Sequence, residues 1–463
     1  MPFRHLTPPR APESAATAPA VWPTALRALA RHRRTLMLQG PIGWFFDRLA
    51  QVLQQQGQSV TKVHFNGGDE LFWRHPDALR FTGRIESLDG WLRTLVRARH
   101  IDAIVLFGQM RPVHCIARQV ARELGIEVFV LEEGYLRPDH VTIERRGVNA
   151  LSRLPRAASF YAQHQPEAEL PPLPAARPTD QRIGRTAGLA MRYYLAALLR
   201  HWRYPNRVNH RSLDPVGEGW RWFTGGLRKP LHAWRERGLQ QRLCSTPLSQ
   251  RWFLVPLQVH DDSQIRHHSR FAGMEDFIEE VMVSFATQAA PDLHLAIKHH
   301  PMDRAYVDYR GLIDALSHRL GLDGRVHCLH DQHLPTLLDH ALGVVTINST
   351  VGLQALHHGT PVLALGDSVY GIPGLVHAGP LAAFWQDPGL VDQTLYRSFR
   401  RHLLEHTQLN ASFYARMPAL DSAVPPLSQP LPPGPLPAPA STALPTPSPS
   451  VRPGAYPASA TPG

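Results

Sequence analysis

Hydrophobic residues along this chain form short runs that alternate with amphipathic stretches of roughly 10 to 15 residues. A first series predicts strands near 35–39, 59–63, 104–107 and 128–131. A second series predicts strands near 252–257, 293–297, 325–329, 343–347 and 361–365. Short β-rich runs separated by helical patterns indicate βαβ units and parallel sheets. We therefore expect an α/β protein with two Rossmann-like domains.

The composition divides the chain into six segments. Residues 1–22 are rich in Pro and Ala, and residues 421–463 hold 14 of the 43 prolines, so both ends are expected to be unstructured. Between them we predict an N-terminal Rossmann-like acceptor domain (23–160), a helical basic connector (161–250), a second Rossmann-like domain for a nucleotide sugar (251–390) and a C-terminal helix (391–420). This order is that of a GT-B glycosyltransferase, although a fold alone leaves the function open.

The net charge indicates which kind of partner the protein binds, and the cysteine content indicates its cellular compartment. The 49 basic and 38 acidic residues give a net charge of +11, which favours anionic partners. Three widely spaced cysteines suit neither a disulfide framework nor a zinc site, which indicates the cytoplasm. No apolar run approaches the roughly 18 to 20 residues of a membrane span, so a soluble or peripheral protein is expected. The basic residues do not belong to a recognised nucleic-acid-binding module, so the anionic partners are not expected to include a nucleic acid.

Three polar clusters follow predicted strands of the second series. They are Gln258-Val-His-Asp-Asp262, Lys298-His299-His300-Pro301 and Asn348-Ser349-Thr350. Because ligands of open α/β sheets bind outside the carboxyl ends of the strands, these clusters predict one cleft for an anion. Ser349 and Thr350 open a helix whose free N–H groups favour a phosphate, although an ordinary helix N-cap explains them as well.

Seven short motifs of this chain resemble those of a known protein family. Its motifs correspond to Gly40-Pro-Ile-Gly43, Phe65-Asn-Gly-Gly-Asp69, Glu132-Glu-Gly-Tyr-Leu-Arg-Pro-Asp139, Gly147-Val-Asn149, Gln258-x-x-x-Asp262, His300-Pro301 and Ser349-Thr350. These are similar to motifs of the capsule polysaccharide biosynthesis and export proteins of the KpsS/LipB type, over roughly residues 35–400. The resemblance implies a retaining β-Kdo transferase that moves Kdo from CMP-Kdo to a phosphatidylglycerol-type lipid and so starts a poly-Kdo linker. It also implies a peripheral protein at the inner face of the cytoplasmic membrane, with other capsule assembly proteins as further partners.

The same resemblance implies roles for the donor residues. Asp262, with Asp261 as its competitor, would be the nucleophile or carbocation stabiliser; the alternative is that both carboxylates cap a helix near Ser263. His300 would hold the CMP phosphate, Pro301 would fix its backbone, and Lys298 would add positive charge. Gln258, Ser349 and Thr350 complete the predicted donor site. No HExxH or DxD sequence occurs, so neither a metal nor another cofactor is expected.

The acceptor half supplies the remaining candidates. Glu133 is preferred over Glu132 as the general base for the acceptor hydroxyl. The predicted acceptor-binding residues are Gly40, Gly43, Asn66, Asp69, Arg111 and Arg137. A structural ion-pair cluster between the domains is the alternative for Glu133, Arg111 and Arg137, and an ordinary turn is the alternative for the motifs 40–43 and 66–69. An Arg-rich helix from Asp180 to Tyr204 would lie either on an anionic bilayer or on the protein itself. At the level of function, a non-catalytic assembly component and a transferase for another nucleotide sugar stay open.

Overall fold

The computed structural model describes residues 22–163, 172–206, 215–260, 265 and 268–422. These residues belong to one compact unit, Met1–Val424, and the Pro-rich tail lies outside the described residues. Trp22, at the edge of the segment expected to be unstructured, is instead buried, and its Nε1–H donates to the backbone oxygen of Ala419 at 3.0 Å. The N-terminus of the described chain is therefore fixed to its C-terminal end.

Twelve strands are present in the described residues. They are β1 (Arg34–Met37), β2 (Ser59–His64), β3 (Ala78–Arg80), β4 (Ala103–Phe107), β5 (Glu127–Glu133), β6 (Val141–Arg145), β7 (Trp252–Pro256), β8 (His294–Lys298), β9 (Val326–Leu329), β10 (Gly343–Thr346), β11 (Val362–Ala364) and β12 (Gln408–Leu409). The nine strands predicted from the apolar runs are all found, within about two residues at their ends.

Helices connect the strands. The α-helices are Thr24–Leu29, Phe45–Gln55, Gly67–Leu71, Leu88–Ala98, Pro112–Glu123, Ala158–Ala162, Ile183–Leu199, Pro215–Arg235, Leu239–Leu243, Met274–Gln288, Arg310–Arg319, Leu334–His340, Val351–His358, Leu381–Gln386, Gln393–His406 and Pro418–Asp421. Short 3-10 helices are Ile85–Ser87, Asn149–Leu151, His201–Arg203 and Pro301–Ala305. None of the helices described is both long and apolar enough to cross a bilayer.

The strands form two sheets with the same core topology. The first sheet has the order β12-β6-β5-β4-β1-β2-β3, in which β1 to β5 are parallel and β6 and β12 are antiparallel. The second sheet has the order β11-β10-β7-β8-β9 and is parallel throughout. In each sheet the strand order reverses beside the first strand, between β1 and β4 and between β7 and β10. Open α/β sheets bind ligands at such reversal points, so the fold contains two candidate clefts.

The end of the described chain returns to the first sheet. The helix Gln393–His406 leads to β12, where Gln408 and Leu409 pair antiparallel with Thr142 and Val141 of β6. Two parallel Rossmann-like sheets, a helical connector and a returning C-terminal helix make up a GT-B-like architecture. The predicted fold class is therefore confirmed, while the exact domain boundaries stay a prediction.

Candidate active site

The reversal point of the second sheet is bridged by two amide side chains. Gln258 follows β7 and Asn348 follows β10, which are neighbouring strands. The Nε2–H of Gln258 donates to Asn348 Oδ1 at 3.0 Å, and the backbone N–H of Asn348 donates to Gln258 Oε1 at 3.2 Å. Gln258 is buried. Two of the three predicted clusters therefore meet where the topology places a ligand.

The third cluster lies on the next strand. His300 follows β8, and its Nδ1 accepts the backbone N–H of Met302 at 3.2 Å, at the start of the 3-10 helix that Pro301 opens. Burial, together with the positive charges of Arg137 and Lys298, lowers the pKa of His300 to about 4. The imidazole is therefore neutral at pH 7, and because Nδ1 accepts, its proton is on Nε2. The side chain offers one N–H donor to an anion.

Arg137 of the first half lies close enough to His300 for its charge to affect the imidazole. Its Nε–H donates to the backbone oxygen of Gly134 at 3.3 Å, so the Arg137 side chain lies against the loop that follows β5. Only glycine fits at position 134, because an added Cβ would lie 2.1 Å from the backbone oxygen of His140. The Glu-Glu-Gly-Tyr-Leu-Arg motif of the first half thus places a guanidinium near His300.

Lys298 lies near His300, and its charge lowers the pKa of that imidazole. Its Nζ donates to the backbone oxygen of His330, after β9, at 2.5 Å. Burial lowers the pKa of Lys298, although the charges of Asp331 and Glu236 oppose this effect. Its direct role in donor binding stays a prediction.

Ser349 and Thr350 immediately precede the helix Val351–His358, and Thr350 occupies its N-cap position. The Oγ of Ser349 accepts the backbone N–H of Val351 at 3.2 Å. The backbone oxygen of Ser349 accepts the hydroxyl of Tyr370 at 2.6 Å, and Gly352 leaves room for that ring. In the described residues the Thr350 side chain makes no capping hydrogen bond. Ser349 therefore serves the helix, and Thr350 is the better candidate for a ligand contact.

A pair formed by the partly exposed His260 and the buried Asp303 was not predicted. Asp303 is fully buried in the 3-10 helix; its Oδ1 lies 2.7 Å from His260 Nδ1, and its Oδ2 accepts the backbone N–H of His260 at 2.8 Å. A carboxylate on Nδ1 fixes the tautomer that leaves Nε2 free to accept a proton. The signal in the sequence was His260 in the first cluster and Asp303 just after His300-Pro301.

The reversal point of the first sheet holds the acceptor candidates. Arg111 donates to Gln39 Oε1 at 3.2 Å and to the backbone oxygen of Gly40 at 3.3 Å. Burial lowers the pKa of Arg111, although Tyr193, Glu132 and Asp69 oppose the effect. Gln39 is buried, and its Nε2 makes no hydrogen bond within the described part of the chain. This unused donor adds Gln39, which the sequence did not suggest, to the acceptor candidates.

Asn66 and Asp69 hold a turn together. Asn66 Oδ1 accepts the backbone N–H groups of Gly68 and Asp69 at 2.8 and 3.0 Å, and Asp69 Oδ2 accepts the N–H of Phe65 at 2.9 Å. Tyr193 of the connector completes the turn, because its hydroxyl accepts from Asn66 Nδ2 (2.7 Å) and donates to Asp69 Oδ1 (3.0 Å). These contacts form the turn that was the alternative for this motif, and direct binding of the acceptor by Asn66 and Asp69 stays a prediction.

Glu133 and Gly43 also lie beside the C-terminal segment. Glu133 accepts the hydroxyl of Tyr414, and this bond and burial raise the pKa of Tyr414. Gly43 has a φ of 111°, and an added Cβ would lie 3.3 Å from the backbone oxygen of Phe413. Glu133 and Gly43 thus lie beside Tyr414 and Phe413. The role of Glu133 as general base stays a prediction. Asp261 and Asp262 lie outside the described residues, and the catalytic carboxylate is a prediction as well.

Two groups of side chains in the described residues have the composition of a metal site. They are His232 with Glu236 and His330, and His299 with Asp308 and His330. Glu236 already accepts hydrogen bonds from His330 (backbone N–H, 3.0 Å; Nδ1, 2.5 Å), Gln332 (3.1 Å) and Arg310 (3.3 Å). A carboxylate that binds so many donors is satisfied without an ion, so this cluster favours a structural link from the connector to β9.

Comparison with known proteins places these motifs in context. Residues 102–414 match the family described as capsule polysaccharide biosynthesis protein. The chain is 42% identical to the capsule polysaccharide export protein KpsS of Escherichia coli over 391 residues, which cover 84% of this chain and 99% of that protein. It is 37% identical to the capsule polysaccharide modification protein LipB of Neisseria meningitidis serogroup B over 385 residues, 82% of this chain and 92% of that protein.

A solved structure also matches. It is Thermosulfurimonas dismutans KpsC, beta Kdo 2,7 transferase, with 14% sequence identity and a TM-score of 0.39 over 79% of this chain and 89% of that chain.

Proposed function

Because this chain belongs to the capsule polysaccharide biosynthesis family, and is a homologue of KpsS and LipB, we propose that it is a glycosyltransferase of capsule assembly. In this proposal it transfers Kdo from CMP-Kdo to a phosphatidylglycerol-type lipid with retention, at the inner face of the cytoplasmic membrane. The donor and acceptor follow from the family resemblance. The site geometry described above supports the chemistry.

The observation that carries the proposal is the convergence at the second reversal point. Asn348, Gln258 and His300 follow β10, β7 and β8, three adjacent strands about 5 Å apart. They present amide groups, a neutral imidazole N–H and the nearby Arg137, a donor set that suits a phosphate and a sugar carboxylate. A component that only assembles other proteins has no need of this set in a cleft.

The proposed reaction has two displacements. The carboxylate of Asp262 attacks the anomeric carbon of Kdo while the bond to the CMP phosphate oxygen breaks, and CMP leaves with that electron pair. The His300 N–H and Arg137 stabilise the charge that develops on the leaving phosphate. Glu133 then takes the proton of the acceptor hydroxyl, whose oxygen displaces Asp262 and restores the original configuration.

Release of CMP from CMP-Kdo, measured with and without phosphatidylglycerol, tests the proposal. We expect lipid-dependent release that falls about a hundredfold in Asp262→Asn and about tenfold or more in His300→Ala. His318→Ala, which changes an exposed histidine of the same half, is the matched control and should match the wild type. Release that persists at the wild-type rate in Asp262→Asn would remove the carboxylate from the mechanism.

The two alternatives predict other results. A transferase for a UDP-sugar would show stronger thermal stabilisation by UDP than by CMP, and one for CMP-sialic acid would release CMP from that sugar but not from CMP-Kdo. A non-catalytic assembly component would be stabilised by neither nucleotide and would release no CMP. Either result would replace the proposal.

A further inference from the structure

One helix of the connector leaves a row of large apolar side chains in solvent. In Ile183–Leu199 and the following turn, the exposed fraction is 73% for Met191, 55% for Leu195, 66% for Leu199 and 69% for Trp202. Spacings of three and four residues place these side chains on one face of the helix. We call this face the apolar row. A surface helix ordinarily has polar residues on its outer face, so the row is an exception that needs a partner.

The opposite face already packs on the protein. Tyr193, Ala196 and Ala197 are buried. Added Cβ atoms on Gly67 and Gly68 would lie 2.4 Å from the Ala196 oxygen and 2.6 Å from the Tyr193 ring, so the two glycines allow a close helix contact. The helix is therefore held by its inner face, and the apolar row is not needed for the core.

Basic residues accompany the row. Arg185 and Arg192 are exposed and lie along one side of it, and the helix contains no Asp or Glu. Arg200 and Arg203 instead turn toward Glu70, at 3.7 and 3.2 Å. An apolar face with arginines beside it and no acidic residue fits the boundary between the headgroups and acyl chains of an anionic bilayer.

We infer that the apolar row of the connector binds the surface of an anionic lipid bilayer. The choice of a lipid partner rests on the proposed function, in which the acceptor is a lipid. The same helix holds the turn of Asn66 and Asp69 through Tyr193, so binding at the row would bring the acceptor half to the membrane. Of the two positions predicted for this helix, on a bilayer or on the protein, the structure allows both at once, one for each face.

Cosedimentation of the full chain with vesicles tests the inference. The vesicles contain either phosphatidylcholine alone or equal parts of phosphatidylcholine and phosphatidylglycerol, and no CMP-Kdo is present. We expect the double variant Leu195→Gln with Leu199→Gln to bind the mixed vesicles about tenfold more weakly, since two immersed side chains are lost. Arg185→Gln with Arg192→Gln should reduce binding to the mixed vesicles only.

Leu390→Gln is the matched control, because Leu390 is 96% exposed and far along the chain from the connector. Binding of the leucine double variant that equals the wild type, or wild-type binding that ignores phosphatidylglycerol, would overturn the inference. A wild-type dimer that the leucine double variant converts to a monomer would assign the row to a second copy instead. Transfer of Kdo to a soluble short-chain phosphatidylglycerol is measured in parallel for the wild-type protein. Because this acceptor requires no vesicle, the assay distinguishes a failure of the proposed function from a failure to bind vesicles.

Discussion

Gln258 and Asn348 exchange two hydrogen bonds across the strands between which the order of the second sheet reverses. The pair closes the base of the cleft where a ligand is expected, because each residue immediately follows a parallel strand. Each residue also provides a hydrogen-bond partner for a polar group of the other. The contact that joins the two strand ends therefore lies within the predicted donor site.

Replacing Gln258 by Met tests this pair. The variant keeps the side-chain volume but leaves Asn348 without both bonds, so we expect the free energy of unfolding to fall by about 1 to 3 kcal/mol and CMP binding to weaken. Urea unfolding and calorimetric titration with CMP measure the two effects. Gln55→Met, at an exposed helix position, should change neither the free energy of unfolding nor CMP binding. Equal changes in both variants would show that the Gln258–Asn348 hydrogen bonds have no specific role.

The contact of His260 with the buried Asp303 leads to a second prediction. In Asp303→Asn an amide replaces the carboxylate that fixes the His260 tautomer, so we expect a larger share of the tautomer protonated on Nε2. Because His260 belongs to the strand-end cluster that is predicted to bind the donor, CMP release should also slow. Nitrogen NMR of the imidazole reports the tautomer directly. The exposed pair His318 and Asp323 offers the control Asp323→Asn. An unchanged tautomer with unchanged turnover would make Asp303 purely structural.

The strands could be predicted and much of this site could not, for physical reasons. Each run such as Trp252–Pro256 is continuously apolar because it is buried on both faces, and this pattern is local. By contrast, β3 and β12 have three and two residues, too few to show a pattern, and β6 mixes Glu144 and Arg145 with apolar residues. The bond from His260 to Asp303 spans 43 residues, so it depends on how β7 and β8 pair.

Binding of CMP-Kdo should not depend on titration of His300 over roughly pH 5 to 8. The pKa of His300 is about 4, against about 6.5 for an ordinary histidine, so the imidazole donates in its neutral form throughout this range. His300→Gln, which keeps an N–H donor, should lose less affinity than His300→Ala. Titration calorimetry of the wild type and both variants at several pH values measures this. A wild-type advantage that grows below pH 6.5 would show that the charged form binds.

Acid should destabilise the fold through its buried histidines. Burial lowers the pKa of His64 to about 2 and of His114 to about 3, so the unfolded chain binds more protons than the folded chain below about pH 6.5. Stability should therefore fall as the pH drops from about 6.5. His64→Leu should make the dependence of the urea midpoint on pH less steep, whereas His318→Leu, at an exposed site, should leave it unchanged.

Gly352 should be intolerant of any side chain. An added Cβ would lie 2.3 Å from the hydroxyl oxygen of Tyr370, so Gly352→Ala must displace either that ring or the start of the helix after Thr350. We expect a loss of about 1 to 3 kcal/mol in the free energy of unfolding and weaker CMP binding. Gly311→Ala, in the helix Arg310–Arg319 with open space around position 311, should be neutral or stabilise by about 0.5 to 1 kcal/mol. Similar losses in both variants would point to the helices in general rather than to the Tyr370 contact.

Tyr193→Phe separates the structural role of the Asn66–Asp69 turn from a role in acceptor binding. The variant removes the hydroxyl that binds both Asn66 and Asp69, while the ring still packs on Gly68. If the turn positions the acceptor, KM for the lipid should rise several-fold while KM for CMP-Kdo stays constant, because the predicted donor residues belong to the other sheet. If the turn only stabilises the fold, the free energy of unfolding should fall by about 1 kcal/mol with both KM values unchanged. Tyr194→Phe, at the neighbouring half-exposed tyrosine, controls for the loss of a hydroxyl on this helix. For Tyr193→Phe we expect the rise in KM for the lipid, because the turn lies beside the helix that bears the apolar row.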